Sequence, residues 1–86
     1  MKIRFSPHAL KRIKERGIAR EDVVKTIKFP DKVEISKIAK NRFLVKKVYY
    51  HQKLKKDHLL MLICEKERDV LEIITVIDTS KISKYL

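Results

Sequence analysis

The chain has 86 residues, of which 44% are apolar and 38% are charged, so its composition is that of one globular domain over residues 1–86 rather than a disordered segment. It contains 22 Lys and Arg residues against 11 Asp and Glu residues, giving a net charge of +11. This charge argues against a cationic substrate and favours a polyanionic partner, namely RNA, DNA or an acidic protein segment.

The first part of the chain predicts a short strand followed by a well-delimited helix. Residues 2–5 alternate between polar and apolar side chains, as a strand does. Ser6 suits the N-cap of a helix and Pro7 its first position, because the hydroxyl accepts from a free N–H and proline has a helical φ. We expect this helix to reach Arg16 and to end at Gly17, the residue type that most easily takes a left-handed φ.

A second helix and a series of strands follow. Residues 20–28 carry an apolar stripe at helical spacing, and the step before Pro30 ends that helix. Four strands are predicted at residues 32–39, 42–51, 58–66 and 70–78. They are connected by a tight turn at 40–41, a lysine-rich loop at 52–57 and a second turn at 67–69. Residues 79–86 are expected to form a tail of at most one helical turn. The predicted fold class is α+β, with two N-terminal helices packed on a mostly antiparallel sheet in the order β-α-α-β-β-β-β.

The positive charge is concentrated in the first two thirds of the chain. Residues 1–28 and residues 29–57 each have a net charge of +6, whereas residues 58–86 have a net charge of −1. The last third also holds the densest apolar segments and is expected to supply the core. The charge therefore indicates one basic face rather than an evenly basic surface.

Motifs for cofactors, metals and membranes are missing from the sequence. The longest apolar run, residues 59–64, has six residues, whereas a membrane span needs about 20. The N-terminus has no signal-peptide core, and a single cysteine cannot form an internal disulfide, so we expect a cytoplasmic protein with no membrane partner. With one glycine and no CxxC or HExxH motif, we expect no cofactor and no metal.

The first helix carries the best candidate for proton transfer. His8 and Arg12 are four residues apart and share a helix face that lies roughly opposite its apolar side chains. The helix dipole and the neighbouring Arg12 both favour the neutral imidazole, which suits proton transfer near a phosphate. The same spacing also fits a solvated basic face with a surface histidine.

Two histidines flank the lysine-rich loop. If the strands on either side pair directly, His51 and His58 face each other across the hairpin. A metal site would need further ligands, of which Asp57 is one candidate, and two strand ends without a shared function fit the sequence better. Lys53, Lys55 and Lys56 in this region suit phosphate contacts but equally a solvated loop.

Aromatic and thiol side chains in the strands are interpreted mainly as packing residues. Tyr49 and Tyr50 point to opposite faces of one strand, so that one ring packs in the core and the other is available to stack on a base. Cys64 lies in the middle of an apolar run, which is typical of an inert buried thiol.

Residues 5–18, Phe-Ser-Pro-His-Ala-Leu-Lys-Arg-Ile-Lys-Glu-Arg-Gly-Ile, resemble the opening of a small uncharacterised prokaryotic family. The resemblance continues at residues 21–23, 30–31, 74–77 and 80–86. That family is similar to the RelE/ParE-type toxins of toxin–antitoxin pairs, within a wider group of barnase-, EndoU- and colicin-like ribonuclease folds. The resemblance implies two N-terminal helices on an antiparallel sheet and a metal-independent ribonuclease.

Carried over to this sequence, the resemblance places His8 and Arg12 in the helix motif, Arg16 in the Arg-Gly-Ile step, Thr75 in the last strand and Tyr85 in the tail. We therefore expect an RNA-cleaving toxin domain that acts on RNA or ribosome-bound mRNA, with an acidic antitoxin as partner. The expected catalytic residues are His8, Arg12 and Tyr85. The expected nucleic-acid contacts are Arg16, Arg42, Lys46, Lys53, Lys55, Lys56 and Lys81.

Two other functions fit the same sequence. The first is a non-enzymatic domain that binds nucleic acid or an antitoxin through its basic face, and the second is a poison of DNA gyrase. The composition is also that of a thermophile protein, since Asn41 and Gln52 are the only side-chain amides and Lys and Glu are plentiful. A melting temperature above roughly 80 °C is expected, against about 55 °C for ordinary mesophile domains.

Overall fold

A computed structural model describes residues 2–37 and 39–86. Within these ranges the chain forms a mixed sheet of five strands with three helices. In chain order the elements are β1 (Lys2–Phe5), α1 (Pro7–Arg16), α2 (Arg20–Lys28), β2 (Lys32–Ile35), β3 (Arg42–His51), β4 (Lys56–Glu67), β5 (Val70–Thr79) and α3 (Ile82–Tyr85). The fold class is α+β as predicted, and α3 is a single helical turn within the tail expected at residues 79–86.

The strands are arranged in the sheet as β1-β5-β4-β3-β2. β2, β3, β4 and β5 pair with their neighbours in antiparallel fashion, whereas β1 pairs with β5 in parallel. A parallel pair requires a long crossover connection, which the helices and the other strands provide. The three central strands, β3, β4 and β5, are long, and the two edge strands, β1 and β2, have four residues each.

The ends of α1 agree with the prediction. The Ser6 hydroxyl accepts from the Ala9 N–H at 3.0 Å and donates to the Ile74 carbonyl of β5 at 2.7 Å. Gly17 has φ of 65°, and the Ile18 N–H donates to the Ile13 carbonyl at 3.0 Å. Ser6 thus caps the helix and also attaches its first turn to the sheet.

The second predicted strand is shorter than expected. β2 ends at Ile35, because the Arg42 N–H donates to the Ala39 carbonyl and so closes a turn around residues 40–41. Residue 38, which the predicted strand included, lies outside the described residues. β4 in turn begins at Lys56, two residues earlier than predicted, which shortens the lysine-rich loop.

One face of the sheet packs against α1 and α2. The core between them contains buried apolar side chains from both helices, from the connection between them and from the three central strands: Ala9, Ile13, Ile18, Val23, Val45, Tyr49, Leu60, Leu62, Cys64, Leu71, Ile73 and Val76. Burial of such side chains, at about 25 cal/mol per Å² of apolar surface, is the main stabilising contribution in a domain of this size.

A β-bulge in β5 changes which of its residues face the helices. Ile63 of β4 pairs with Thr75 and the next residue, Cys64, pairs with Ile73, so Ile74 is left without a partner in the register. The alternation of side chains shifts by one residue at this point. As a result, Val76 and Asp78 lie on the same face as Leu71 and Ile73.

The C-terminal tail lies against the opposite face of the sheet. Lys46 alternates with the core residue Val45 and therefore points away from α1 and α2. Its Nζ donates to the Tyr85 carbonyl at 2.5 Å and to Glu34 at 3.0 Å. Lys32 donates to the Leu86 carbonyl at 3.1 Å, so two lysines hold the tail in place.

Candidate functional site: the β3–β4 end of the sheet

Four polar side chains form a buried cluster where β3 ends and β4 begins. Tyr49 and His51 come from β3, His58 from β4 and Asp78 from β5. The Tyr49 hydroxyl donates to Asp78 Oδ1 at 2.6 Å, and His58 Nδ1 lies 3.0 Å from the same oxygen and 3.1 Å from Oδ2. Because Asp78 accepts from two partners, its carboxylate is well satisfied although its side chain is only 6% exposed.

His51 connects this cluster to α1. Its Nε2 lies 3.0 Å from the Arg16 carbonyl at the end of α1, and its Nδ1 accepts from the Leu54 N–H at 3.2 Å. The rings of His51 and His58 are 5.1 Å apart between centroids. The two histidines therefore do face each other across the hairpin. The carboxylate beside them is Asp78, however, and the candidate Asp57 is exposed.

Burial shapes the chemistry of this face. Desolvation, followed by the hydrogen bond and the charge of Asp78, raises the pKa of Tyr49 above its ordinary value, with a smaller contribution from Asp22. Burial alone raises the pKa of the Cys64 thiol to about 12, in agreement with the predicted inert thiol. His58 Nε2 is buried and has no hydrogen-bond partner within the described residues.

Basic side chains surround the same end of the sheet. A methyl group placed on Gly17 would lie 2.9 Å from Cδ of Lys53, so the Lys53 side chain lies over the end of α1. The Lys55 N–H donates to the His51 carbonyl at 2.7 Å, and Lys56 is the register partner of His51. We call Arg16, Lys53, Lys55 and Lys56 the hairpin-end surface.

The hairpin-end surface unites four of the seven predicted nucleic-acid contacts. Lys81 follows β5 near the same end of the sheet and is exposed. Arg42 lies at the opposite end, where its Nε donates to Glu65 at 3.1 Å. Lys46 is buried beneath the tail, and its hydrogen bond lowers the pKa of Glu34. The structure therefore separates Arg42 and Lys46 from the other predicted contacts.

The three predicted catalytic residues do not form one constellation. His8 is exposed on α1. Arg12 Nε donates to the Val76 carbonyl of β5 at 3.4 Å. Val76 lies beyond the last residue of β5 that pairs with β1, so this bond attaches α1 to the part of β5 that β1 does not cover. Tyr85 is 41% exposed and lies against the other face of the sheet, with Lys84 Nζ 5.4 Å from its ring centroid. His8 and Arg12 thus share α1, and the structure does not bring Tyr85 to them.

The sequence pointed to His51 and His58 but not to their partner. Asp78 is the one acidic residue in residues 73–79, directly after an apolar run. A single acid at the end of such a run is the available signal. The signal was ambiguous, because strict alternation from Ile73 places Asp78 on the other face.

Among residues 2–37 and 39–86, no group of three or more His, Cys, Asp or Glu side chains is arranged to hold a metal ion. In the same part of the chain, the structure contains no helix that is long and apolar enough to cross a membrane.

Taken together, the fold and the site define a small basic α+β domain with a buried His-Asp-Tyr cluster beneath a cationic hairpin. Residues 5–78 match the family described as Domain of unknown function (DUF4258), and the chain belongs to that family. No curated protein and no solved structure matches the chain.

Proposed function

We propose that the protein is an RNA-binding domain whose phosphate contacts are made by the hairpin-end surface. The observation that carries the proposal is the state of its cations. Within the described residues, Arg16, Lys53, Lys55 and Lys56 form no ion pair and belong to the same end of the sheet, whereas Arg4, Arg42 and Lys46 are each paired with a glutamate. Unpaired cations retain their full charge for a ligand, and single-stranded nucleic acids are bound along their phosphate backbone by positively charged surfaces.

The arrangement of these cations also supports binding. His51 contacts both the end of α1 and the loop that follows β3. This loop is therefore partly ordered before a ligand binds, which lowers the entropy cost of binding. The choice of RNA over DNA rests on the resemblance to RelE/ParE-type toxins. Arg16 provides the planar, two-pronged donor that phosphate oxygens bind best, and the lysines provide point charges.

A matched pair of double variants tests this proposal. Lys53→Ala/Lys55→Ala removes two charges from the β3–β4 turn. Lys66→Ala/Arg68→Ala removes two charges at the same spacing in sequence, one from the end of β4 and one from the β4–β5 turn. Lys55 and Arg68 both have φ of 54°, so the backbone strain is matched as well.

The measurement is the affinity for a labelled mixed-sequence single-stranded RNA at several salt concentrations, with duplex DNA as a second ligand. The first double variant should bind about tenfold more weakly, and its log–log salt slope should fall by about 1.4, or about 0.7 for each phosphate that is no longer neutralised. The second should change affinity by less than about threefold. Equal losses in the two variants would show that binding depends on total charge and not on this surface.

RNA cleavage is a second candidate function, favoured by the position of His8. This exposed histidine lies in the first turn of α1, the helix whose last residue is Arg16. An RNA bound at the hairpin end can therefore extend along α1 towards it. In the reaction, His8 would take the proton of a ribose 2′-hydroxyl and the 2′-oxygen would attack the adjacent phosphorus. The bond from phosphorus to the 5′-oxygen would break, the 5′-oxygen would take a proton from water, and His8 would return its proton to the solvent. Arg12 would stabilise the charge on the phosphate oxygens.

Cleavage is tested with free RNA and with ribosome-bound mRNA, in the presence and absence of EDTA. The candidate predicts a cyclic phosphate product in both conditions and a loss of at least about 100-fold in rate for His8→Ala. A full rate for His8→Ala would remove His8 from the mechanism. No cleavage of either substrate, together with intact RNA binding, would leave the binding function alone.

A further inference from the structure

The two ring nitrogens of His51 contact different elements of the hairpin end. Nδ1 accepts from the Leu54 N–H in the loop, and Nε2 faces the Arg16 carbonyl at the end of α1. The residue is 2% exposed. The Lys53 side chain, which lies over Gly17, belongs to the loop that this histidine holds.

These two partners determine the protonation state of the ring. A backbone N–H can only donate, so Nδ1 must be unprotonated to accept from Leu54. A carbonyl can only accept, so Nε2 must carry the proton and donate to Arg16. Both hydrogen bonds together require the neutral Nε2–H tautomer. A second proton on Nδ1 would place two N–H groups against each other and break the contact with the loop.

Charged and titratable groups face His51 from every neighbouring element. On β5, Asp78 Oδ2 lies 4.0 Å from His51 Nε2, but this carboxylate already accepts from Tyr49 and His58. On β4, the His58 ring is adjacent and Lys56 is the register partner of His51. On β3, the centroid of the Tyr49 ring lies 5.9 Å from that of His51. From α2, the negative charge of Asp22 contributes to the raised pKa of Tyr49. The loop and α1 add the cations Lys53 and Arg16, which oppose a further positive charge.

We propose that His51 is the positioning residue of the hairpin-end surface, and that protonation of His51 releases the loop of residues 52–55 from α1. In the neutral state the loop is attached and the Lys53 side chain is held over Gly17, next to Arg16. In the protonated state the Leu54 N–H is deprived of its acceptor. Within the described residues the loop then keeps only the Lys55 N–H bond to the His51 carbonyl, so its cations are held less firmly relative to α1. Imidazole is the side-chain group whose charge responds most readily to acidification, so lowering the pH tests this release.

The attachment itself can be tested without RNA and in the wild-type protein. Nitrogen NMR of the imidazoles at about pH 8 should show His51 with a protonated Nε2 and an unprotonated Nδ1. On lowering the pH to about 5, the hydrogen-exchange protection factor of the Leu54 amide should fall at least about tenfold, as expected when one buried hydrogen bond is broken. The Lys66 amide, which donates to the Asn41 carbonyl at 2.9 Å at the other end of the sheet, should keep its protection.

A non-titrating variant provides the matched test. In His51→Asn the side-chain oxygen can take the place of Nδ1 as the acceptor for Leu54, and nothing titrates. Its Leu54 protection factor should therefore be independent of pH. The control His8→Asn removes an exposed imidazole outside the cluster and should retain the wild-type pH dependence.

The consequence for the ligand rests on the proposed RNA function and is measured separately. The ratio of the wild-type Kd to the His51→Asn Kd for the labelled single-stranded RNA should be near one at about pH 8. It should rise at least about threefold at about pH 5, because the wild-type loop must then be ordered on binding. If neither protein binds RNA but the NMR results hold, the binding function is wrong and the switch stands. A wild-type His51 protonated on Nδ1 at about pH 8, or a Leu54 protection factor independent of pH, overturns the switch.

Discussion

The two turns that connect the three central strands both contain a residue with a left-handed φ, but the chain segments around them have opposite net charge. Each contains one residue other than glycine with φ of 54°, Lys55 in the β3–β4 turn and Arg68 in the β4–β5 turn. Residues 52–57 have a net charge of +2, whereas residues 65–69 have a net charge of −1. The turns differ in length, with four residues at 52–55 and two at 68–69, but each contains a residue with this left-handed φ. That backbone feature therefore does not account for the lysines. Their concentration at one end is a property of the surface, as expected of a binding site for a polyanion.

The two ends of the sheet also differ in what lies beneath the turns. At the β4–β5 end, the ion pairs Arg4–Glu72 and Arg42–Glu65 are solvent-exposed, and such pairs contribute about 0–1 kcal/mol each. At the β3–β4 end, the Asp78 carboxylate is buried and binds two donors. Buried polar groups are costly to leave unpaired, so the β3–β4 end should be much more sensitive to substitution.

The largest expected difference between the two ends is in the stability that each loses when one carboxylate is removed from it. Asp78→Ala leaves the Tyr49 hydroxyl and His58 Nδ1 without their acceptor, and should lower the free energy of unfolding by about 3 kcal/mol. Glu65→Ala breaks an exposed pair with Arg42 and should lower it by less than about 1 kcal/mol. Urea denaturation of both variants measures the two values. Similar losses would mean that the Asp78 cluster adds no more stability than a surface pair.

A second effect tests the contact between α1 and the β3–β4 turn. Gly17 has a left-handed φ of 65°, and Lys53 Cδ lies against it. Gly17→Ala should lower the free energy of unfolding by about 1–2 kcal/mol, mainly through the backbone conformation, because the end of a lysine side chain can move at little cost. Thermal or urea unfolding measures this. A loss well above this range would indicate that Lys53 cannot move away.

A third prediction concerns pH at the same end of the sheet. The folded state raises the pKa of Tyr49, so it binds the phenolic proton more tightly than the unfolded chain does. The resulting stability is complete below the unfolded-state value of about 10 and is lost as the pH rises above it. Tyr49→Phe should cost about 1 kcal/mol near neutral pH, because it removes the hydrogen bond to Asp78.

The difference in stability between the wild type and Tyr49→Phe should therefore shrink when the pH exceeds about 10. The measurement is urea unfolding of both proteins from neutral to alkaline pH. Taking the difference removes the titration of the lysines, which both proteins share. A constant difference across this range would show that the Tyr49 proton is not held more tightly in the folded state.

Local signals in the sequence were sufficient for α1 and insufficient for Asp78. The cap at Ser6 and the left-handed φ at Gly17 depend on residues within one turn of the helix, and both were predicted correctly. Asp78 reaches the histidines only because the bulge after Ile73 shifts the alternation of β5 by one residue. The bulge is a property of pairing between strands, and nothing in residues 70–78 alone indicates it.

The distinction between local signals and contacts across the sheet also explains why the sequence did not indicate the burial of Lys46, whereas the prediction for the two histidines was correct. Lys46 was predicted to contact nucleic acid as one of several lysines, but the tail of a distant part of the chain covers it. That hydrogen bond spans 39 residues and has no local signature. His51 and His58 were predicted to meet if β3 and β4 pair directly. The register confirms this condition, since Tyr49 pairs with His58. Pairing within a hairpin is the long-range contact that local sequence specifies best.

The smallest expected effect compares the two turns directly. At φ of 54°, a side chain with a Cβ is strained and glycine is not. Lys55→Gly and Arg68→Gly should each therefore change the free energy of unfolding by less than about 1 kcal/mol, with relief of strain opposed by the greater freedom of glycine in the unfolded chain. Because the two positions have the same φ, the two changes in stability should agree within about 0.5 kcal/mol. Their RNA affinities should not agree, since Lys55→Gly removes a cation of the hairpin-end surface and Arg68→Gly does not. Parallel urea unfolding and RNA titration of the two variants test this. A loss of affinity in Arg68→Gly equal to that in Lys55→Gly would mean that the two ends bind RNA alike, whatever their charge.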